Sequence, residues 1–165
     1  MEIRQLKLKD AEKVRELEIS CIKEYFASTI ENKWDELPKE WKDNLGASSI
    51  NHFKTYLDSG LSFVAEEDGE IYGFIFAQML HHVFDVNNLV WIENMGVHPY
   101  VRRNMIGFQL LRETLRKGKA DGAEVAHSML QTGNAPSIML HKKIGFFMDR
   151  REVALIDLKD PNLKL

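Results

Sequence analysis

Trp91-Ile-Glu-Asn-Met-Gly-Val-His-Pro-Tyr-Val-Arg-Arg-Asn-Met-Ile-Gly-Phe-Gln-Leu-Leu111 is the stretch whose reading decides the fold. A strand-like run passes through His98-Pro99 into a basic turn. The turn opens a segment in which Ile106, Leu110 and Leu111 have helical spacing. A strand running straight into a helix aims free backbone N–H groups and the positive helix end at one spot, which makes an anion site. Arg102 and Arg103 add mobile charge there. Gly107, in the first helical turn, lets a ligand approach the backbone. A plain helix start with a glycine packed on the sheet accounts for these residues equally well at this point.

Downstream, the helix is expected over Arg103–Asp121, with Ile106, Leu110, Leu111 and Leu115 on one face and Gly122 just beyond its end. Glu124–Leu130 reads as a strand. Asn134 caps a shorter helix, with Pro136 in its first turn and Gly145 past its last. Phe146–Arg150 and Val153–Leu158 read as closing strands. Upstream, Leu61–Glu66 and Glu70–Leu80 flank Glu67-Asp68-Gly69, a hairpin signal because the turn needs positive φ. Asn87-Asn88 is the next expected turn, and Leu89–Val97 the third member of that sheet. Ile3, Leu6 and Leu8 open the chain as a short strand. Asp10 is placed to cap a helix through Val14, Leu17, Ile19, Ile22 and Phe26. Ala27–Ser49 is loosely patterned, and Ile50–Leu57 is helical again. The order β, α, α, β, β, β, α, β, α, β, β combines crossovers with hairpins, so the α/β fold needs a mixed sheet.

The 165 residues suit one domain spanning 1–165, and an apolar fraction of 44% can fill its core. A net charge of −3 argues against nonspecific nucleic-acid binding. No apolar run approaches the roughly 20 residues of a membrane span. The charged start Met-Glu-Ile-Arg-Gln-Leu-Lys is unlike a signal peptide, and the lone Cys21 cannot form an internal disulfide. A cytoplasmic location is the expectation. His81 and His82 are adjacent and would point to opposite faces of a strand, a poor metal pair. No metal is expected.

Val97-His-Pro, the turn Arg102 to Gly107 and Leu110-Leu111 resemble the acetyl-CoA signature of the GNAT acetyltransferase family. That signature runs Val, Asp or His, Pro, a Gln/Arg-x-x-Gly-x-Gly/Ala turn and a Leu-Leu helix. Met105 stands where the family usually has its first glycine. Asn134 and Lys143-Ile-Gly-Phe146 resemble the family's closing pattern, with His141 where Tyr is usual. Ala65-Glu-Glu-Asp-Gly-Glu-Ile-Tyr-Gly-Phe74 resembles its hairpin. The matches fall in the family's order and cover Phe63 to Phe146.

The resemblance implies a mostly antiparallel mixed sheet in which two neighbouring parallel strands, here Leu89–Val97 and Glu124–Leu130, splay apart. The gap would admit the pantetheine arm of acetyl-CoA as an added strand on Met95, Gly96 and Val97. Gly96 is a candidate for the bulge that starts the splay. Arg102, Arg103, Asn104, Met105, Ile106 and Gly107 would hold the pyrophosphate, and Asn134 would contact the cofactor. The implied reaction is direct acetyl transfer to an amine. A protonated amine must lose a proton before attack. Glu93, two residues from Met95 and so expected on the same face, is the candidate base; a solvated Glu is the bland alternative. His141, two helical turns from Asn134, is the candidate acid for the departing thiolate; a packed His is the alternative.

The expected acceptor is a small amine, a polyamine, an amino acid or a peptide N-terminus, chosen by residues in Ala27–Ser49. Trp34, Trp41 and the acidic Glu31, Asp35, Glu36, Glu40 and Asp43 lie there, interleaved with Lys33, Lys39 and Lys42. Asp85 is a weaker candidate amine anchor. Homodimers are common in proteins of this type, with the C-terminal strands as the place. A noncatalytic acyl-CoA-binding or regulatory module on the same fold is the rival reading, fed by Met105 and His141. A protein binding another phosphate ligand at Arg103 is a third, and it ignores the match at Asn134–Phe146.

Overall fold

The computed structural model describes residues 1–29 and 47–149, with 39, 154, 156 and 162 as isolated positions. Its elements are β1 (Glu2–Gln5), a 3-10 turn (Leu8–Asp10), α1 (Ala11–Thr29), α2 (Ala47–Asn51), α3 (Phe53–Ser59), β2 (Phe63–Glu67), β3 (Glu70–Val83) and β4 (Val86–Val97). A second 3-10 turn (Pro99–Val101), α4 (Ile106–Ala120), β5 (Val125–Ser128) and α5 (Ala135–Ile144) follow. The strands lie in the order β1-β2-β3-β4-β5, antiparallel throughout except for the parallel β4–β5 pair. This is the mixed, mostly antiparallel sheet flanked by helices that the resemblance implied.

Alternation along the strands builds a core on each face. Phe63, Ala65, Ile75, Ala77, Val90 and Ile92 meet Ile106, Leu110 and Leu111 of α4 on one face. Val64, Phe74 and Phe76 meet Val14 and Leu17 of α1 and Phe53 and Tyr56 of α3 on the other. Arg4 ties the first strand to this second layer, with Nη1 2.7 Å from Asp10 and Nε 2.6 Å from Glu66.

Several boundaries differ from expectation. The Asp68-Gly69 turn forms as read, with φ of 52° and 83°. The next turn is at Phe84-Asp85 (φ 53° and 58°), not Asn87-Asn88. Asn88 is a β4 residue whose Oδ1 accepts from His81 Nδ1 and whose Nδ2 donates to the Gly122 carbonyl. The long helix starts at Ile106 rather than Arg103, because Arg103 and Met105 take left-handed φ values of 66° and 62°. The helix before β2 is two short pieces broken at His52. Phe146–Asp149 form no strand, and Val153–Leu158 lies outside the described residues apart from Ala154 and Ile156.

Candidate cofactor and acceptor groove

β4 pairs with β5 only from Leu89–Val125 to Ile92–Ser128, after which β5 ends and β4 continues to Val97 beside β3 alone. The register between β3 and β4 slips where Phe76 faces Asn94 and Ala77 faces Ile92, so Glu93 is the extra, bulged residue. The bulge is therefore at Glu93 and not at Gly96. Gly96 serves closeness instead: a Cβ there would stand 2.7 Å from the Phe74 ring and 3.0 Å from the Cys21 sulfur.

The bulge also overturns the same-face expectation for Glu93 and Met95. Val90 and Ile92 belong to the α4 core, and Met95 and Val97 pack against that core three and five residues beyond Ile92. Glu93 is left on the other side, where its carboxylate accepts the Trp91 indole N–H at 2.6 Å. Its charge is felt at Tyr56, whose hydroxyl is pushed up to about 12 by burial and then by the Glu93 and Glu18 carboxylates.

Where β5 has ended, a groove of about 930 Å³ runs across the sheet. One wall is β4 from Asn94 to Val97, and the others come from α1, the start of α4 and the start of α5. The outward edge of β4 has no strand partner there among the described residues. The His98 N–H bonds back to Tyr72 of β3, while the Val97 carbonyl is turned the other way and accepts from Arg102 Nε at 2.9 Å. Ladder alternation puts the Met95 N–H and C=O on that outward side too. At one end of the groove, the amides of Ile106, Gly107 and Phe108 precede the first helical bond, Gln109 N–H to Met105 O. Arg102 and Arg103 line this end. Lys143 of α5 stands beside Met105 and over the Phe108 ring.

Arg102 is also held by Glu24 of α1 through two bonds, at 2.7 and 2.5 Å. Met105 occupies a left-handed position that disfavours any side chain, which is the physical reason a glycine suits it. Gly107 is packed rather than open: a Cβ would meet Leu140, Met95 and Val97 at 3.3 to 3.6 Å. Asn134 Oδ1 accepts the Ser137 N–H at 3.2 Å, capping α5 as expected, and Asn134 lines the groove.

Of the residues named from the sequence, Met95, Gly96, Val97, Arg102, Arg103, Ile106, Gly107 and Asn134 line this groove, while Asn104 and Met105 sit in its loop. Glu93 and His141 do not line it. His141 is 1% exposed, with its ring against Phe146 and Nδ1 2.8 Å from the Ser137 carbonyl. Burial lowers its pKa, with the Ser137 contact opposing. A neutral, packed imidazole results, and two turns of separation did not put it on the Asn134 side. The expected acceptor segment lies largely outside the described residues, Trp34 and Trp41 included.

Sequence reading missed Glu18 and Asn94, which line the groove from α1 and β4. The signal was Glu18 itself, an acid within the stripe Val14, Leu17, Cys21, Ile22. Cys21 lines the groove as well, and burial pushes its thiol up, away from the thiolate a nucleophile needs.

The family model described as "Protein of unknown function (DUF1999)" matches residues 1–165. An N-alpha-acetyltransferase of Sulfurisphaera tokodaii is 31% identical over 104 residues, which span 59% of this chain and 61% of that one. The aminoglycoside N-acetyltransferase AAC(6')-Iy in complex with CoA is similar with a TM-score of 0.71 at 22% identity, over 95% of this chain and 94% of its own. The same enzyme with a bisubstrate analogue, CoA-S-monomethyl-acetylneamine, gives 0.67 at 23% identity, over 94% and 97%. The chain thus belongs to the DUF1999 family and is built on the GNAT acetyltransferase fold.

Proposed function

We propose that this protein is an acetyl-CoA-dependent N-acetyltransferase that acetylates a primary amine by direct transfer. The observation that carries the reading is the groove at the end of the β4–β5 pairing. It combines an outward strand edge at Met95 and Val97 with the free amides at the start of α4. Such an edge suits an amide-bearing arm, and such a helix start suits a pyrophosphate. Bound there, acetyl-CoA would supply an activated thioester. Met95 and Val97 would orient its arm, and Arg102, Arg103 and the Ile106 and Gly107 amides would neutralise its phosphates.

The part of the groove beside Glu18 and Asn94 is left for the acceptor. The relative is an N-alpha-acetyltransferase and the CoA-bound neighbours acetylate aminoglycosides, which supports an amine acceptor. Glu93 as proton acceptor has weaker geometric support, since its carboxylate holds the Trp91 indole outside the groove lining. His141 as acid has weaker support still, because the ring is packed in the core. Among the described residues no helix is long and apolar enough to cross a membrane.

The test is acetyl-CoA-dependent thiol release by purified protein against polyamines, amino acids, peptides with free N-termini and neamine. Turnover with one class supports the enzyme and identifies its acceptor. CoA binding with no acetylation of any amine would instead favour a noncatalytic CoA-binding module.

A further inference from the structure

Glu18 is a charged side chain in a place that ordinarily excludes one. It sits in the second turn of α1, 1% exposed, between Leu17 and Cys21 on the face that packs against the sheet. Its Oε1 accepts from Asn94 Nδ2 at 2.6 Å, and its Oε2 accepts from the Ser49 N–H at 3.2 Å. Both donors are neutral. Among the described residues no Lys, Arg or His forms an ion pair with it. A buried carboxylate without a countercharge is costly, and proteins normally pair it. Here the countercharge has a way in, because Glu18 and Asn94 both line the groove, next to Cys21, Ile22, Tyr25 and Phe74.

From this geometry, and resting on the N-acetyltransferase reading above, we infer that Glu18, held in place by Asn94, is the carboxylate that receives the protonated amine of the acceptor. The acceptor class is then a primary ammonium carried next to an apolar or aromatic-compatible segment. Asn94 is a positioning residue. It immediately follows the Glu93 bulge, so the inserted residue is what turns the Asn94 amide toward α1 while Met95 faces α4. A divalent metal is a poor occupant, since one carboxylate and one amide fall short of the six or more oxygens a hard cation gathers. The competing account is purely structural, a polar tie joining α1, α2 and β4. That account predicts a stability effect with no dependence on the amine.

The experiment is calorimetric titration of the CoA-saturated full chain with spermidine, neamine and a trialanine peptide, comparing wild type with Glu18→Gln. The expected result is binding of at least one amine by wild type. In Glu18→Gln that affinity falls by about tenfold or more, the loss of one charge-assisted hydrogen bond, while CoA affinity stays within about twofold. Equal amine affinity in the two proteins, or no amine bound by wild type, would overturn the inference. If Glu18→Gln fails to fold, Asn94→Ala takes its place, with a severalfold weakening of amine binding expected and an unchanged affinity contradicting it. Thiol release is followed in parallel. Glu18-dependent amine binding without release would sink the enzyme reading alone, and release indifferent to Glu18→Gln would sink this inference alone.

Discussion

Leu89–Ile92 and Asn94–Val97 belong to one strand and have the same partner, β3, on one side. On the other side they differ. The first half is bonded to β5, and Leu89, Val90 and Ile92 are each at most 3% exposed. The second half has lost β5, and its outward carbonyl at Val97 is met by Arg102 and, at 3.8 Å, by the Cys21 thiol. Glu93, bulged between them, separates the two regimes. A strand edge is usually a hazard at the rim of a sheet. Here an edge is opened inside the sheet, at a place walled by three helices rather than at the rim. The first half supplies the stability that holds the second half open.

The largest expected effect of breaking this division comes from Leu89→Ala. Truncating a fully buried leucine in the doubly paired half should cost about 2–5 kcal/mol of unfolding free energy, measured by urea denaturation. CoA affinity of the folded protein should remain within about twofold. A large loss of affinity in well-folded protein would mean the halves are not separable.

Arg102→Gln probes the other half and should do the reverse. Its ion pair with Glu24 is 43% and 42% exposed, so solvent screening limits the stability change to less than about 1 kcal/mol. If Arg102 meets the cofactor phosphates as proposed, CoA should bind about tenfold more weakly by titration calorimetry.

A smaller effect is expected from His141→Phe, which lies outside both halves. The buried imidazole has a lowered pKa, so the unfolded chain, with His near 6.5, takes up a proton first as pH falls. Stability from this group is intact above about 6.5 and declines below it, toward the lower folded value. Thermal melts from pH 7.5 to 5 should show a shallower acid decline in His141→Phe, with thiol release little changed. Loss of turnover in a stable variant would restore His141 as a catalytic acid.

The sequence made the frame legible where local chemistry decides structure. Asp68-Gly69 announced its hairpin because positive φ is written into those residue types, and Asn134 announced a helix start because its side chain satisfies an orphan N–H. The basic turn after Val97 was readable as the link from a strand into a helix, which begins at Ile106. Other features depend on pairing and packing. Asn87-Asn88 has turn composition, yet the β3–β4 register draws both into the strand and leaves the turn to Phe84, whose ring stacks on His127. The Glu93 bulge has no local signature, and one inserted residue reverses the facing of everything around it. His141 matched a motif position, but its burial is set by Phe146 and the α5 contact with the core. Glu18 was visible as an acid on an apolar stripe. Its partner Asn94, far along the chain, appeared only in the fold.

Backbone amide shifts during a CoA titration test the central claim most directly. If the open half of β4 receives the cofactor, the amides of Met95, Val97, Ile106 and Gly107 should move strongly, while those of Leu89 to Ile92 stay nearly still. Saturable CoA binding that leaves Met95 and Val97 unmoved, or no binding at all, would contradict the account.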